Sequence, residues 1–362
     1  MNMSEGFTND SLSTEVPLYT STEYYGDEDD PLIFLCDDDA SSDNTTLTSV
    51  VFSLVFVLSL TGNVLVLCVL AKYEDMKKVT NIFILNLAIS DLVFASSLPF
   101  WAVYHSYHWI FGSFMCKLIS GVYFIGVYSS LIFLTVMSVD RYLTVVHSVS
   151  ITLRKRTLCA WSSSAVIWTI AIAASIKEMV NSDTVLTQDK DIFICEEVQT
   201  GITPDLVGYC LQIVFLFLLP FFIIVFCYCS ILKTVITCKA RAKYNAVKII
   251  FGIVVAFFIC WAPYNLVMFL MSLNDLNPSG DCDRRAKLNL AFNVCRNLAY
   301  FHCCLNPLLY VCTAKYRAHL RRLVCNSPQQ TRERSSVPVR SYHNTSNIFQ
   351  NGEAAREEID KL

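Results

Sequence analysis

Apolar residues in this chain run in seven long blocks parted by short polar joints. The blocks fall near Thr46–Ala71, Thr80–Tyr104, Ser113–Val146, Thr157–Ile176, Asp205–Ile236, Ala242–Leu273 and Leu288–Thr313. An α-helix needs about 20 mostly apolar residues to cross a bilayer, and blocks of this length with few charges read as spans. The expected fold class is therefore an all-α membrane protein, a bundle of seven transmembrane helices. The third block shows the logic best. It has Cys116 near its start, carries no charge between Lys117 and Asp140, and reaches Asp140-Arg141-Tyr142 near its end. As a helix, Cys116 to Arg141 covers roughly 38 Å at about 1.5 Å per residue. That exceeds a hydrocarbon core of about 30 Å, so its two ends reach opposite watery sides.

Four regions follow from the same pattern. Residues 1–45 are polar, acidic and without periodicity, as expected of a disordered head. Residues 46–313 form the bundle. Residues 314–325 contain Tyr316-Arg317-Ala318-His319-Leu320-Arg321-Arg322-Leu323, an amphipathic stretch expected to lie along the membrane surface. Residues 326–362 read as a disordered tail.

Charge then sets the orientation. Only 16% of residues are charged, against about a quarter in soluble domains. Residues 1–45 hold twelve acids and no Lys or Arg. Odd-numbered joints carry Lys72, Lys77 and Lys78, then Arg154, Lys155 and Arg156, then Lys233, Lys239 and Arg241. The positive-inside rule puts these joints in the cytosol and the head outside. The third outer joint, with Arg284, Arg285 and Lys287, is the exception. Met1-Asn2-Met3-Ser4-Glu5 is neither basic nor followed by an apolar run, so the first span is expected to act as an uncleaved signal. The sequons at Asn9 and Asn44 would then be glycosylated, and the one at Asn344 would stay bare. The head sets Tyr24 and Tyr25 beside Asp27, Glu28, Asp29 and Asp30, a setting for tyrosine sulfation and a negative surface for a basic partner.

Of sixteen cysteines, four fall outside: Cys36, Cys116, Cys195 and Cys282. They allow three pairings. Joining Cys116 to Cys195 would pin the second outer joint over the bundle, leaving Cys36 for Cys282. Cys325 is a palmitoylation candidate. Polar groups inside spans are costly and mark functional sites. Asn63, Asp91, Ser130, His302 and Asn306 form one such set, suited to a sodium ion or a few waters. No spacing resembles a zinc site and no other cofactor is implied. Pro99, Pro220, Pro263 and Pro307 lie within spans, where each removes a backbone hydrogen bond and permits a kink.

Several motifs occur in order: Gly62-Asn63-Val64, Asn86-Leu87-Ala88-Ile89-Ser90-Asp91, Asp140-Arg141-Tyr142, Trp168, Cys260-Trp261-Ala262-Pro263 and Asn306-Pro307-Leu308-Leu309-Tyr310. Together they resemble the rhodopsin-like G-protein-coupled receptors. The run Asp140 to His147, Ser97-Leu98-Pro99-Phe100-Trp101, the four outer cysteines and the acidic head are similar to the chemokine receptors. Tyr107 to Gly112, Trp261 to Asn265 and Val294 to Cys304 are similar to the XC, or lymphotactin-type, members.

The resemblance implies a chemokine held by the head and by a cavity lined by Trp101, Tyr123, Tyr264 and Arg296. It implies a switch through Trp261, Pro263, Tyr228, Pro307 and Tyr310 that frees Arg141 from Asp140. It also implies a heterotrimeric G protein, of Gi class, as inner partner, with receptor kinases, arrestin and membrane lipids as further partners and leukocyte chemotaxis as the outcome. Three departures stand out, one being that span four lacks the usual outer proline and has Lys177-Glu178 instead. Ser97 replaces the usual threonine of Thr-x-Pro, and Arg296 stands where most chemokine receptors carry a glutamate. A scavenger without G-protein coupling and a transporter or channel are the alternatives. No nucleophile-base pair is apparent, so an enzyme is not expected; nor is a nucleic-acid partner.

Overall fold

A computed structural model describes residues 42–147, 152–187, 192–198, 202–238, 241–276, 282–311 and 314–325. All belong to the unit Asp38–Leu362. In chain order the elements are α1 (Ser42–Tyr73), α2 (Val79–Ser106), α3 (Gly112–Val145), α4 (Leu153–Asn181), β1 (Ser182–Thr187) and β2 (Ile192–Glu197). They are followed by α5 (Ile202–Ile213), a π-helical turn (Val214–Leu218), α6 (Leu219–Cys238), α7 (Arg241–Leu276), α8 (Cys282–Tyr300), α9 (His302–Val311) and α10 (Ala314–Cys325).

Among the described residues, six helices are long and apolar enough to cross a membrane. The seventh crossing is made in two pieces, α8 and α9, parted at Phe301. α8 is less apolar than the other six crossings, because Asn289, Asn293, Arg296 and Asn297 interrupt its apolar residues. At the break the chain tightens into i→i+3 bonds, Phe301 N to Leu298 O (3.2 Å) and Cys304 N to Phe301 O (3.0 Å). The outer faces of the helices leave Leu54, Val57, Ile170, Phe222 and Phe226 exposed. Lipid is the solvent for such a surface, so hydrophobic exclusion does little to hold the helices together.

Close backbone approach and polar cross-links hold them instead. Trp168 Nε1 donates to Asn86 Oδ1 at 2.9 Å, and Asn86 Nδ2 donates to Ser164 Oγ at 3.2 Å, joining α2 to α4. Asn63 Nδ2 donates to the Cys303 carbonyl at 3.0 Å, joining α1 to α9. Ser49 Oγ donates to the Ala102 carbonyl at 2.8 Å, joining α1 to α2.

Three elements differ from the sequence reading. The second outer joint is not plain loop: β1 and β2 form an antiparallel hairpin with Thr184 opposite Cys195. Alternation there is weak, so the strands escape a pattern search. The fourth span runs past Ile176 to Asn181, which takes Lys177 and Glu178 out of the joint and into α4. The first helix begins at Ser42, a turn earlier than expected, so the Asn44 sequon lies in its first turn. Cys36, Asn9 and the Tyr24–Asp30 stretch lie outside the described residues.

Candidate functional site

The hairpin closes one end of the bundle. Cys195 is disulfide-bonded to Cys116 near the start of α3, with Cα atoms 5.7 Å apart. Lys117 Nζ meets Asp183 Oδ2 at 2.9 Å, and Ser113 also donates to Asp183. The Ser113 hydroxyl and the Lys117 ammonium hold the Asp183 carboxyl below its ordinary range. Trp109 N donates to the Phe193 carbonyl at 2.9 Å, and its indole Nε1 donates to the Gly112 carbonyl at the same distance. Gly112 makes this turn with φ of 77°, a left-handed conformation that favours glycine.

Under the hairpin lies a cavity of about 310 Å³. Trp101, Tyr123, Tyr264 and Arg296, named from the sequence as ligand-contacting, all lie on its wall. Arg296 Nη2 donates to Asn293 Oδ1 at 2.9 Å, and its guanidinium rests over the rings of Phe52 and Phe292. Trp261 and Phe257 are also among the lining residues. The wall further includes three acids that sequence reasoning left out, Glu178 of α4 and Glu196 and Glu197 of β2. The signal was available for Glu178, a carboxylate at the end of an apolar block.

The Trp261 ring stands 5.3 Å from that of His302, centroid to centroid. His302 Nδ1 pairs with the Ala299 carbonyl at 2.8 Å, while Nε2 stands 4.0 Å from Asp91 Oδ1. Asp91 is fully buried. Its two oxygens accept from Ser130 Oγ at 3.1 Å and Asn306 Nδ2 at 2.7 Å. Asp91, Ser130, His302 and Asn306 thus converge. Asn63 does not reach Asp91; its amide is engaged by Ser59 and Cys303. A buried carboxylate without a fixed cation, beside a hydroxyl oxygen, is a donor set that suits a hard monovalent ion with water. Among the described residues no group of three or more His, Cys, Asp or Glu is placed to hold a metal.

At the opposite end of α3, Asp140 Oδ2 meets Arg141 at 3.1 Å and Oδ1 meets Arg156 at 3.0 Å. Arg141 also donates to Thr80 and is buried. The arginine is therefore held from two helices, by Asp140 of its own and Thr80 of α2. Arg156 and Thr80 were not foreseen; neither stands out in its segment. Tyr142 donates to or accepts from His147 Nε2 at 2.9 Å. Tyr228 packs on Phe251 at 4.9 Å and Tyr310 faces Tyr316 at 6.3 Å between ring centroids. Cys325 is the last residue of α10, and Cys282 the first of α8.

Residues 62–310 match the family model described as the 7 transmembrane receptor, rhodopsin family. The Homo sapiens protein Chemokine XC receptor 1 is 40% identical over 310 residues, covering 85% of this chain and 89% of that one. Its Mus musculus counterpart is 39% identical over 312 residues, covering 84% and 90%. The Homo sapiens C-C chemokine receptor type 4 is 41% identical over 275 residues, covering 75% and 76%. The chain belongs to the chemokine receptors of the rhodopsin family. It is thus a multi-pass membrane receptor and not an enzyme, and its family works with chemokine ligands and G proteins. In this receptor the cavity, the Asp91 cluster and the Asp140–Arg141 pair follow one another along α3, and packed aromatic rings join the first two.

Proposed function

We propose that this receptor is of the XC, lymphotactin-binding type. Its head and hairpin face outward, its tail lies in the cytosol, and its inner partner is a Gi-class G protein that directs leukocyte chemotaxis. The single observation that carries the XC assignment is Arg296 on the cavity wall. Most chemokine receptors are expected to offer a carboxylate there. The similarity to two proteins named Chemokine XC receptor 1 points the same way.

Binding proceeds in two steps. Tyr24, Tyr25 and Asp27 to Asp30 attract a basic chemokine body through charge, an attraction that weakens as salt rises. The chemokine's N-terminal segment then enters the cavity and bears on Trp101, Tyr123 and Tyr264. Pressure on Trp261 reaches His302 and Asp91 by contact, and Pro263 and Pro307 let α7 and α9 bend. Tyr228 and Tyr310 rearrange, and Arg141 leaves Asp140 and Thr80 to meet the G protein. The ligand acts only through its preference for that second arrangement. Sodium, held by Asp91 and Ser130 with water, would favour the first arrangement by supplying the counter-charge. Phosphorylation of tail serines and threonines by receptor kinases would recruit arrestin.

Cells expressing the full chain, challenged with a chemokine panel, test the reading. Lymphotactin-type ligand should lower cAMP and raise calcium, with both responses lost in Arg141→Ala while binding persists. Binding with no G-protein response in the intact receptor would make it a scavenger. Failure of every chemokine to bind would overturn the assignment.

A further inference from the structure

We propose that Glu178, with Glu197 beside it on the cavity wall, is the subsite that takes the ligand's N-terminal ammonium. The inference rests on the chemokine-receptor reading above and specifies which wall of the cavity recognises the amine. Two observations carry it. Glu178 is only 7% exposed, yet it lines the cavity. Among the described residues its carboxylate makes no hydrogen bond or ion pair, because the neighbouring cation, Lys177, reaches instead to Glu197 Oε1 at 3.8 Å.

A buried carboxylate without a fixed partner is expensive unless something charged completes it. The wall itself carries a cation, Arg296. It comes from α8, which packs on α1 and α7, whereas α4 packs on α3 and α2. Arg296 is also occupied with Asn293 and with two rings. Its Nε finds no partner among the described residues. The cavity is therefore bipolar, with a cation on one side and a buried anion on the other. An extended peptide whose free α-amine is charged at neutral pH would be repelled by Arg296 and drawn to Glu178. Its first carbonyls would then face the Arg296 guanidinium and the Trp101 indole, whose Nε1 likewise has no partner among the described residues. The chemical class of ligand is a peptide with an unblocked N-terminus.

The test uses the full-length receptor in cell membranes and a synthetic chemokine, taken as the tightest binder of the panel, made with a free and with an acetylated N-terminus. Acetylation removes the ammonium and keeps the chain. On the native receptor acetylation should weaken binding by about 30-fold or more, the size expected when one member of a buried charge pair is removed. Glu178→Gln should weaken the free-amine ligand by a similar factor. The two losses should not add, so the acetylated ligand should bind Glu178→Gln and native receptor alike. Glu178→Asp should restore a large part of the loss. Equal weakening of both ligands by Glu178→Gln would mean a structural role and overturn the inference. So would an unchanged affinity of the free-amine ligand. A panel in which nothing binds the native receptor would sink the chemokine reading itself.

Discussion

Gly126 of α3 offers the sharpest test of how this bundle is held. A Cβ added at Gly126 would stand 2.6 Å from the N, Cα and Cβ of Phe94 on α2. Ordinary carbon contacts lie near 3.5 Å, so the helices must separate by roughly 0.9 Å. The atoms in the way are mostly backbone and cannot swing aside. Gly121, on the same helix, meets the Met179 side chain at 3.2 Å. The shortfall there is only about 0.3 Å, and methionine is flexible. Both changes share the same gain in helix propensity, about 1 kcal/mol for alanine over glycine. Overpacking costs typically about 1–3 kcal/mol, and the larger clash belongs to the upper part of that range. Gly126→Ala is therefore expected to destabilise by roughly 1–2 kcal/mol net, and Gly121→Ala to be neutral or slightly stabilising.

Thermal melts of detergent-purified receptor read the difference directly, with Gly126→Ala several degrees below the native chain and Gly121→Ala level with it. A functional signature should accompany the melt. The Phe94 ring touches those of Tyr123, Tyr300 and His302, at 5.4, 5.2 and 5.1 Å between centroids. Pushing Phe94 aside disturbs the packing between cavity and Asp91 cluster, so agonist potency should fall as well. If Gly126→Ala melts at or above the native temperature, or Gly121→Ala falls as far, close approach of α2 and α3 is not what limits packing.

Three further outcomes are expected. Cys195→Ser opens a loop whose ends are 79 residues apart, which chain entropy values at roughly 4.5 kcal/mol as an upper bound; because the bilayer already holds α3 and α4, ligand binding to cells should drop well before the melting temperature does. Thr80→Val removes one of the two groups holding Arg141 and, at about 1 kcal/mol per hydrogen bond, should raise basal G-protein activity roughly five-fold in a nucleotide-exchange assay. Asp91→Asn should abolish any sodium dependence of agonist affinity, and a sodium effect that survives the change would remove Asp91 from that role.

The sequence disclosed the helices well and their joints poorly, for a physical reason. Crossing a bilayer requires long uncharged stretches, so seven spans announce themselves as apolar blocks. The seventh, Leu288–Thr313, is the faintest, since Arg296 and three asparagines dilute its apolar character. The hairpin was illegible because a disulfide, Lys117–Asp183 and the Trp109–Phe193 bond fasten it, so its own side chains need no regular alternation. Trp101, Tyr123, Tyr264 and Arg296 were named because the family resemblance implies a ligand cavity there, and all four line the observed one. Thr80 and Arg156 were not, because a threonine or an arginine in a basic joint gains its meaning only from the partner that folding brings.

Unmet hydrogen-bonding demand runs in a line through the molecule. Among the described residues, buried and unpartnered atoms include Trp101 Nε1 and Arg296 Nε at the cavity, Trp261 Nε1 at its lining, and His302 Nε2 above Asp91. Each such group costs on the order of 1–3 kcal/mol when left unpaired. A bundle built for rigidity alone would satisfy them, as it satisfies Asn86, Trp168 and Ser164 between α2 and α4. Part of that cost falls on the route from the cavity to Asp91. A ligand able to pair with the first two atoms lowers the energy of the arrangement that admits it. A slight turn of His302 toward Asp91, now 4.0 Å away, would do the same deeper down. Two arrangements close in energy are what a two-state element requires, and these orphaned groups are where one arrangement can be traded for the other.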